Sequence, residues 1–295
     1  MPPETLLIQA LVGVSSGMIL FIVASGLSLI FGVLRVINFA HGSLYMLGAF
    51  IATSIGAWLA SQSVGFFGAL LIAPLVVALI GALLEMGLFR RVYQREHLLQ
   101  LLLTYGLTLI IADVVRMGWG GEILRLTLPE FLSGTVKILD RRFAVYNLLL
   151  LAIGPAIAIG LGGLLRYTRW GRLIRAAVDN AEVLGALGID TRRVYTAVFA
   201  LGCWLAGLGG VLIAGRASVS LQMDAEIIVQ CFAVVVIGGL GSFTGALIAS
   251  VLIGVVVSLG TLFPATAGFA QALPFAVMAL ILVVRPWGLL GKPEK

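Results

Sequence analysis

Residues able to do polar chemistry are scarce in this chain, and their densest group outside the charged loops is Arg35 to Ser43, RVINFAHGS. Arg35, Asn38 and His41 fall close together, and Gly42 and Ser43 follow, between two apolar runs. Inside a bilayer a broken helix frees backbone groups, and such breaks are where transporters bind polar solutes. A buried Asn and a neutral His can hydrogen-bond without the desolvation cost of a full charge. Asn38, His41, Gly42 and Ser43 are therefore candidates for a transport path. A plain cytoplasmic turn, with Arg35 as a topology signal, accounts for the same residues equally well.

Other chemistry is thin. No GxxxxGK[ST] loop is present, so nucleotide binding by that route is excluded. His41 and His97 each lack a second ligand at helical spacing, and Cys203 and Cys231 lie in apolar segments as small buried hydrophobes. No metal site, cofactor or enzyme site is expected. The glycine clusters at Gly207–Gly210 and Ile237–Gly245 read as places where helices approach closely. Glu85 is one turn from Arg90, which is explained by snorkelling. Asp113 and Arg116 read as an i,i+3 pair at a helix end. Gln230 and Gln271 are isolated polar groups that could line a pore or bond a neighbouring helix.

The longest charged interruption is Arg166 to Arg193, RYTRWGRLIRAAVDNAEVLGALGIDTRR. Arg166, Arg169, Arg172 and Arg175 recur every three residues, and Arg192 and Arg193 close the stretch. Each central Arg would cost roughly 2.5–3.5 kcal/mol in hydrocarbon, so the segment must protrude. One reading is an ordinary positive-inside loop. The other is a short helix over Ala181–Leu187, capped by Asp179 or Asn180 and stopped by Gly188, that shows Val183, Leu184, Ala186 and Leu187 to a partner outside the membrane.

The elements that must position these residues are membrane helices. The chain has 295 residues, 61% of them hydrophobic and 11% charged, against about 25% charge in a soluble domain. The expectation is an all-α polytopic membrane protein with about 8–9 membrane helices, some broken or re-entrant, in a single transmembrane domain over 1–295. The net charge of +6 sits in short loops, which is how topology signals look, and no basic face fits nucleic acid. Spans are expected at Leu6–Leu34, Leu44–Ala60, Phe66–Phe89, Leu98–Gly118, Phe143–Leu165, Val194–Ala214, Thr244–Leu262 and Gln271–Val284. A shorter helix at Ile227–Ile237 and a glycine hinge precede the seventh of these, and Arg216–Glu226 reads as a polar turn. Counting Lys and Arg places thirteen on the side of Arg35, Arg90–Arg95, 166–193 and the C-terminus, and six on the other. That split predicts N-terminus out and C-terminus in, with 166–193 cytoplasmic. The first run lacks a positive leader region and is read as a retained helix.

With these residues assembled, the chain resembles a known family. FGVLRVINFAHGSLYMLGAF at Phe31–Phe50 looks like the signature of permeases of branched-chain amino acid ABC transporters. TRWGRLIRAAVDNAEVLGALGID at Thr168–Asp190 is similar to that family's cytosolic coupling loop. FALGCWLAGLGGVLIAG at Phe199–Gly215 and VVVIGGLGSFTGALIAS at Val234–Ser250 add matches in the same order. The resemblance implies a multi-pass permease of the bacterial inner membrane, working with cytosolic ABC ATPase subunits, a second related permease and a periplasmic or extracellular substrate-binding protein. It implies that Arg175, Asn180, Ala181, Glu182, Leu184, Gly185 and Gly188 belong to the ATPase coupling loop. Import of another small polar solute such as urea or an amide is an alternative. An ion-coupled secondary transporter would be expected to carry mid-membrane carboxylates, and only Asp113 and Glu85 approach that.

Overall fold

A computed structural model describes residues 3–59, 62–93, 95–138 and 141–291. The first apolar run folds as one helix, α1 (Pro3–Leu34), of 32 residues, or about 48 Å at 1.5 Å per residue. That exceeds the ~30 Å hydrocarbon core. Its first turns accordingly leave Glu4, Leu6 and Leu7 exposed, while Gly17 to Ser28 is buried without interruption. After the break come α2 (Ala40–Trp58) and α3 (Gln62–Gly87), then a 3-10 turn at Phe89–Arg91 and α4 (His97–Trp119). The connection that follows holds α5 (Glu130–Ser133) and a small antiparallel hairpin, β1 (Thr135–Ile138) with β2 (Arg141–Ala144). Then follow α6 (Val145–Tyr167), α7 (Arg169–Ala186), α8 (Thr191–Ala214), α9 (Met223–Gly238), α10 (Phe243–Gly260), α11 (Pro264–Ala267), a 3-10 turn at Ala270–Ala272 and α12 (Leu273–Val284).

Helix α1 lies at the centre, packed along α10 and α8, and α8 in turn carries α2 and α3. Small residues make this possible. A methyl group on Gly17 would come within 2.6 Å of the Ser250 carbonyl, and one on Gly48 within 2.7 Å of the Gly207 Cα. In lipid, where hydrophobic burial gives little drive, such backbone contact supplies the attraction between helices. The glycine clusters at Gly207–Gly210 and Gly238–Gly245 act in this way. Helices α3, α4 and α6 are the outer members, with Leu71, Leu75, Leu79, Leu102, Leu109 and Ile159 exposed.

Among the described residues, six helices are long and apolar enough to cross a membrane: α1, α3 with its following turn, α4, α6, α8 and α10. The expected eight to nine is therefore too many. The 16-residue α9 and 12-residue α12 are too short, and His41, Ser43, Thr53 and Ser54 dilute the apolarity of α2. The chain turns sharply between α9 and α10, where Gly239 and Gly241 take φ of 95° and 78°. This is the glycine hinge anticipated from the sequence. Thirteen Lys and Arg were counted toward one side. The two at Lys292 and Lys295 lie outside the described residues.

The remaining counted arginines of that set cluster at one end of the bundle. There Gly32 approaches Gly241 near Val178, Glu85 meets Thr196, and the Leu289 amide donates to the Ile237 carbonyl. At the opposite end the Trp119 indole donates to Ser54, Arg125 donates to Ser218, and Leu124 pairs with Val219.

Candidate functional site

The break between α1 and α2 begins at Arg35, whose φ of 55° is the one left-handed non-glycine backbone among the described residues. A non-glycine residue there carries strain of order 1–3 kcal/mol. The chain reverses over Val36 to Phe39 and re-enters the bundle. Asn38 and His41 are both fully buried. His41 Nε2 lies 2.9 Å from the Val23 carbonyl oxygen in the middle of α1. A carbonyl only accepts, so Nε2 carries the proton and Nδ1 is left as an acceptor. Nδ1 has no protein partner, and neither polar atom of the Asn38 amide has one. Three orphaned polar atoms at one break are unusual, since buried polar groups are nearly always bonded.

Gly42 and Ser43 face a different element. A methyl on Gly42 would collide with the Asp224 carbonyl, and Ser43 Oγ donates to Asp224 Oδ2 at 3.1 Å. Asp224 Oδ1 accepts from the Ala225 amide at 2.7 Å, in the first turn of α9, where a carboxylate complements the helix dipole. Asp224 is buried within the bundle. Sequence reasoning missed it by reading Arg216–Glu226 as a turn. The available signal was the pair Asp224 and Glu226 at a helix start. The four candidate path residues thus separate: His41 bonds to α1, Gly42 and Ser43 meet α9, and the Asn38 side chain has no hydrogen-bond partner. None of them lines an open cavity. A cavity of about 400 Å³ lies beside the break, lined by Phe31, Arg35, Ile37, His97, Gln100 and Leu101.

The charged stretch is mostly helical. Helix α7 starts with Thr168, which accepts from the Gly171 amide, and the Arg175 guanidinium donates to the Leu165 carbonyl, fastening α7 to α6. The helix kinks at Asn180, with φ −162° and ψ 103°. Asn180 Oδ1 accepts from the amides of Glu182 and Val183 at 3.0 and 3.1 Å, so it caps the short segment that starts at Ala181. Gly188 ends that segment with φ of 79°. The cap and stop anticipated from the sequence are both present.

The exposed face differs from expectation. Leu184 is buried in a cluster with Val33, Ile174, Ala177, Val194 and Val198, tying α7 to α1 and α8. Ala186 is exposed as expected, the large outward apolar residues are Val183 and Leu187, 55% and 73% exposed, and Gly185 is exposed beside them.

Two further readings are corrected. Glu85 does not snorkel: it is fully buried. Arg90 Nε donates to both its oxygens at 3.2 Å, Thr196 Oγ1 to one at 2.6 Å, and the Tyr93 hydroxyl to the other at 3.1 Å. This cluster joins the end of α3 to the start of α8. Burial, together with the Glu85 charge, raises the Tyr93 phenol above its ordinary pKa and keeps it a donor. Asp113 and Arg116 make no ion pair among the described residues.

A model of the family described as branched-chain amino acid transport system, permease component, matches residues 9–282. The chain belongs to that family. As a permease it is a non-catalytic, multi-pass membrane component of a branched-chain amino acid ABC importer. It is 28% identical to the high-affinity branched-chain amino acid transport system permease protein LivH of Salmonella typhimurium, over 96% of this chain and 94% of that one. It is 26% identical to the corresponding BraD of Pseudomonas aeruginosa, over 97% and 96%. To LivM of Escherichia coli it is 24% identical, over 92% of this chain and 68% of that one. Among solved structures, PsaBC from Streptococcus pneumoniae in complex with Fab aligns over 92% of the permease and 89% of its own chain, at 15% identity and a TM-score of 0.48.

Proposed function

We propose that this permease sits in the bacterial inner membrane with its N-terminus outside. It imports branched-chain amino acids delivered by a binding protein, beside a second related permease, and is driven by cytosolic ATPases. In this reading the Arg35–Ser43 break belongs to the path, and Ala181–Gly188 is the segment on which the ATPase acts.

The observation that carries the coupling assignment is the geometry of that segment. It is a capped helical turn in the charged stretch between α6 and α8 whose two large apolar side chains, Val183 and Leu187, are exposed. Its third, Leu184, is seated between α1 and α8. Apolar anchors of this kind bind in a partner's groove, and losing one commonly costs about 2 kcal/mol or more. A push on the outer residues would reach α1 and α8 through Leu184. Support for the path is the set of unpaired polar atoms on Asn38 and His41 at a break in the bundle.

The test is the double substitution Val183→Asp with Leu187→Asp. Both positions are exposed, so the permease should insert and fold as before. The ATPase should no longer co-purify, and binding-protein-stimulated ATP hydrolysis should fall to the unstimulated level. Co-purification and stimulation at the original level would show that this turn is a solvated loop, and the coupling assignment would fail.

A further inference from the structure

A groove of about 560 Å³ runs along the outer face of α4, lined by Leu88, Arg91, Val92, Arg95 and, on α4, Leu99, Leu102, Leu103, Gly106, Leu107 and Ile110. Its wall is apolar except at one end, where Arg91 and Arg95 stand exposed. Neither makes an ion pair among the described residues. The neighbouring Arg90 is different, being committed to Glu85. Glu96 is the nearest acid in sequence and forms no ion pair there either.

The length of the trough is informative. Leu99 to Ile110 spans about 16 Å of helix at 1.5 Å per residue. One leaflet of a bilayer is about 15 Å of hydrocarbon, half of the ~30 Å core. The groove is therefore long enough to take an acyl chain from headgroup level to the midplane. Gly106 lies among its lining residues, with no atom beyond its own stretch of helix backbone within 4 Å of where a side chain would start. Leu99, Leu102 and Ile110 along its walls are exposed to about half or more of their area.

We propose that this groove holds an anionic phospholipid of the cytoplasmic leaflet, its headgroup phosphate bound by Arg91 and Arg95 and one acyl chain lying along Leu99 to Ile110. Two unpaired guanidiniums at the headgroup level match a phosphate diester in charge and in hydrogen-bonding geometry. Basic pockets between membrane helices on this side are suited to anionic headgroups. A lipid seated here would brace the Phe89–Arg95 connection, which bears Arg90 and Tyr93 of the Glu85 cluster. The assignment to the cytoplasmic leaflet rests on the orientation proposed above. Binding itself does not, because it can be read in detergent.

The experiment is native mass spectrometry of the full chain in detergent, titrated separately with phosphatidylglycerol and phosphatidylethanolamine. The original chain should prefer phosphatidylglycerol. Arg91→Gln with Arg95→Gln should lower phosphatidylglycerol binding by about 30-fold, as expected for two cations near an anionic surface, and lower phosphatidylethanolamine, whose ammonium offsets its phosphate, by much less, so that the preference is lost. Gly106→Phe fills the trough and should weaken both lipids. Unaltered preference in the double variant would overturn the headgroup site, and unaltered binding in Gly106→Phe would overturn the acyl path. A cysteine at Leu102 that cross-links to the second permease in the assembled complex would show protein, and not lipid, on this face. Cysteine labelling from the wrong side would refute the orientation alone and leave the mass-spectrometric result standing.

Discussion

Substituting Glu85 by alanine tests whether the ion cluster between α3 and α8 holds the arginine-rich end of the bundle together. The carboxylate is fully buried and accepts from Arg90 through both oxygens, from Thr196 and from Tyr93. Removing one partner of a buried ion pair costs about 3–5 kcal/mol when the other charge is stranded. Stranding is incomplete here. The Arg90 side chain is 32% exposed and can turn to water, and Thr196 keeps the Arg192 carbonyl as an acceptor at 2.9 Å. The Tyr93 hydroxyl is the group left worst off. The expected loss is therefore about 2–3 kcal/mol, below the usual range. Glu85→Gln retains an acceptor oxygen for Thr196 and should lose about half as much.

The permease carries its own probe for this measurement. Cys203 and Cys231 are both free and fully buried, so a thiol-reactive dye labels them only on unfolding. For a chain of this size about 2–3 kcal/mol corresponds to a drop of roughly 3–5 °C in the labelling midpoint. Glu85→Ala melting within a degree of the original chain would refute the argument, as would Glu85→Gln melting below Glu85→Ala.

Asn38→Leu should leave the labelling midpoint unchanged or raise it, because it removes two unpartnered buried atoms, and yet should lower amino acid uptake in vesicles. A fall in midpoint with normal uptake would assign Asn38 to packing. Asn180→Ala removes the cap on Ala181–Ala186 and should cost that segment about 1 kcal/mol, read as faster amide hydrogen exchange at Val183 and Leu184 with the other helices unaffected. A cysteine replacing Val183 should be labelled only from the cytoplasm and one replacing Phe131, also exposed, only from outside. Labelling of both from one side would reverse the proposed topology.

Features set by neighbouring residues were legible in the sequence. The Asn180 cap, the Gly188 stop and the hinge at Gly239–Gly241 each depend on a few consecutive residues, and each formed as expected. The break at Arg35 was legible because charge and amide groups interrupt an apolar run. Features set by distant partners were not. Which face Leu184 takes depends on Val33 and Val194, and no helical period reveals that contact. Glu85 looked like an end-of-helix carboxylate because Thr196, its partner, lies 111 residues away. Asp224 was hidden for a like reason, since its bond to Ser43 spans 181 residues. The span count failed because α12 is only 12 residues long and because His41, Ser43, Thr53 and Ser54 dilute the apolarity of α2, which an apolar run read by eye does not register.

The central position of α1 has a consequence for how the permease is made. It leaves the ribosome well before the helices it packs against, yet 89% of its most apolar stretch is buried against other parts of the chain. Its main partner, α10, begins about 200 residues later, which is roughly 10–40 s of synthesis at 5–20 residues per second. Through that interval α1 must wait in lipid, where an unbonded hydroxyl is costly. Ser15, Ser16 and Ser25 each donate to a carbonyl three or four residues back in their own helix. These serines, small enough to let partners approach later, are thus already satisfied before any partner exists. The helix that ends up most enclosed is equipped to survive alone in the bilayer first.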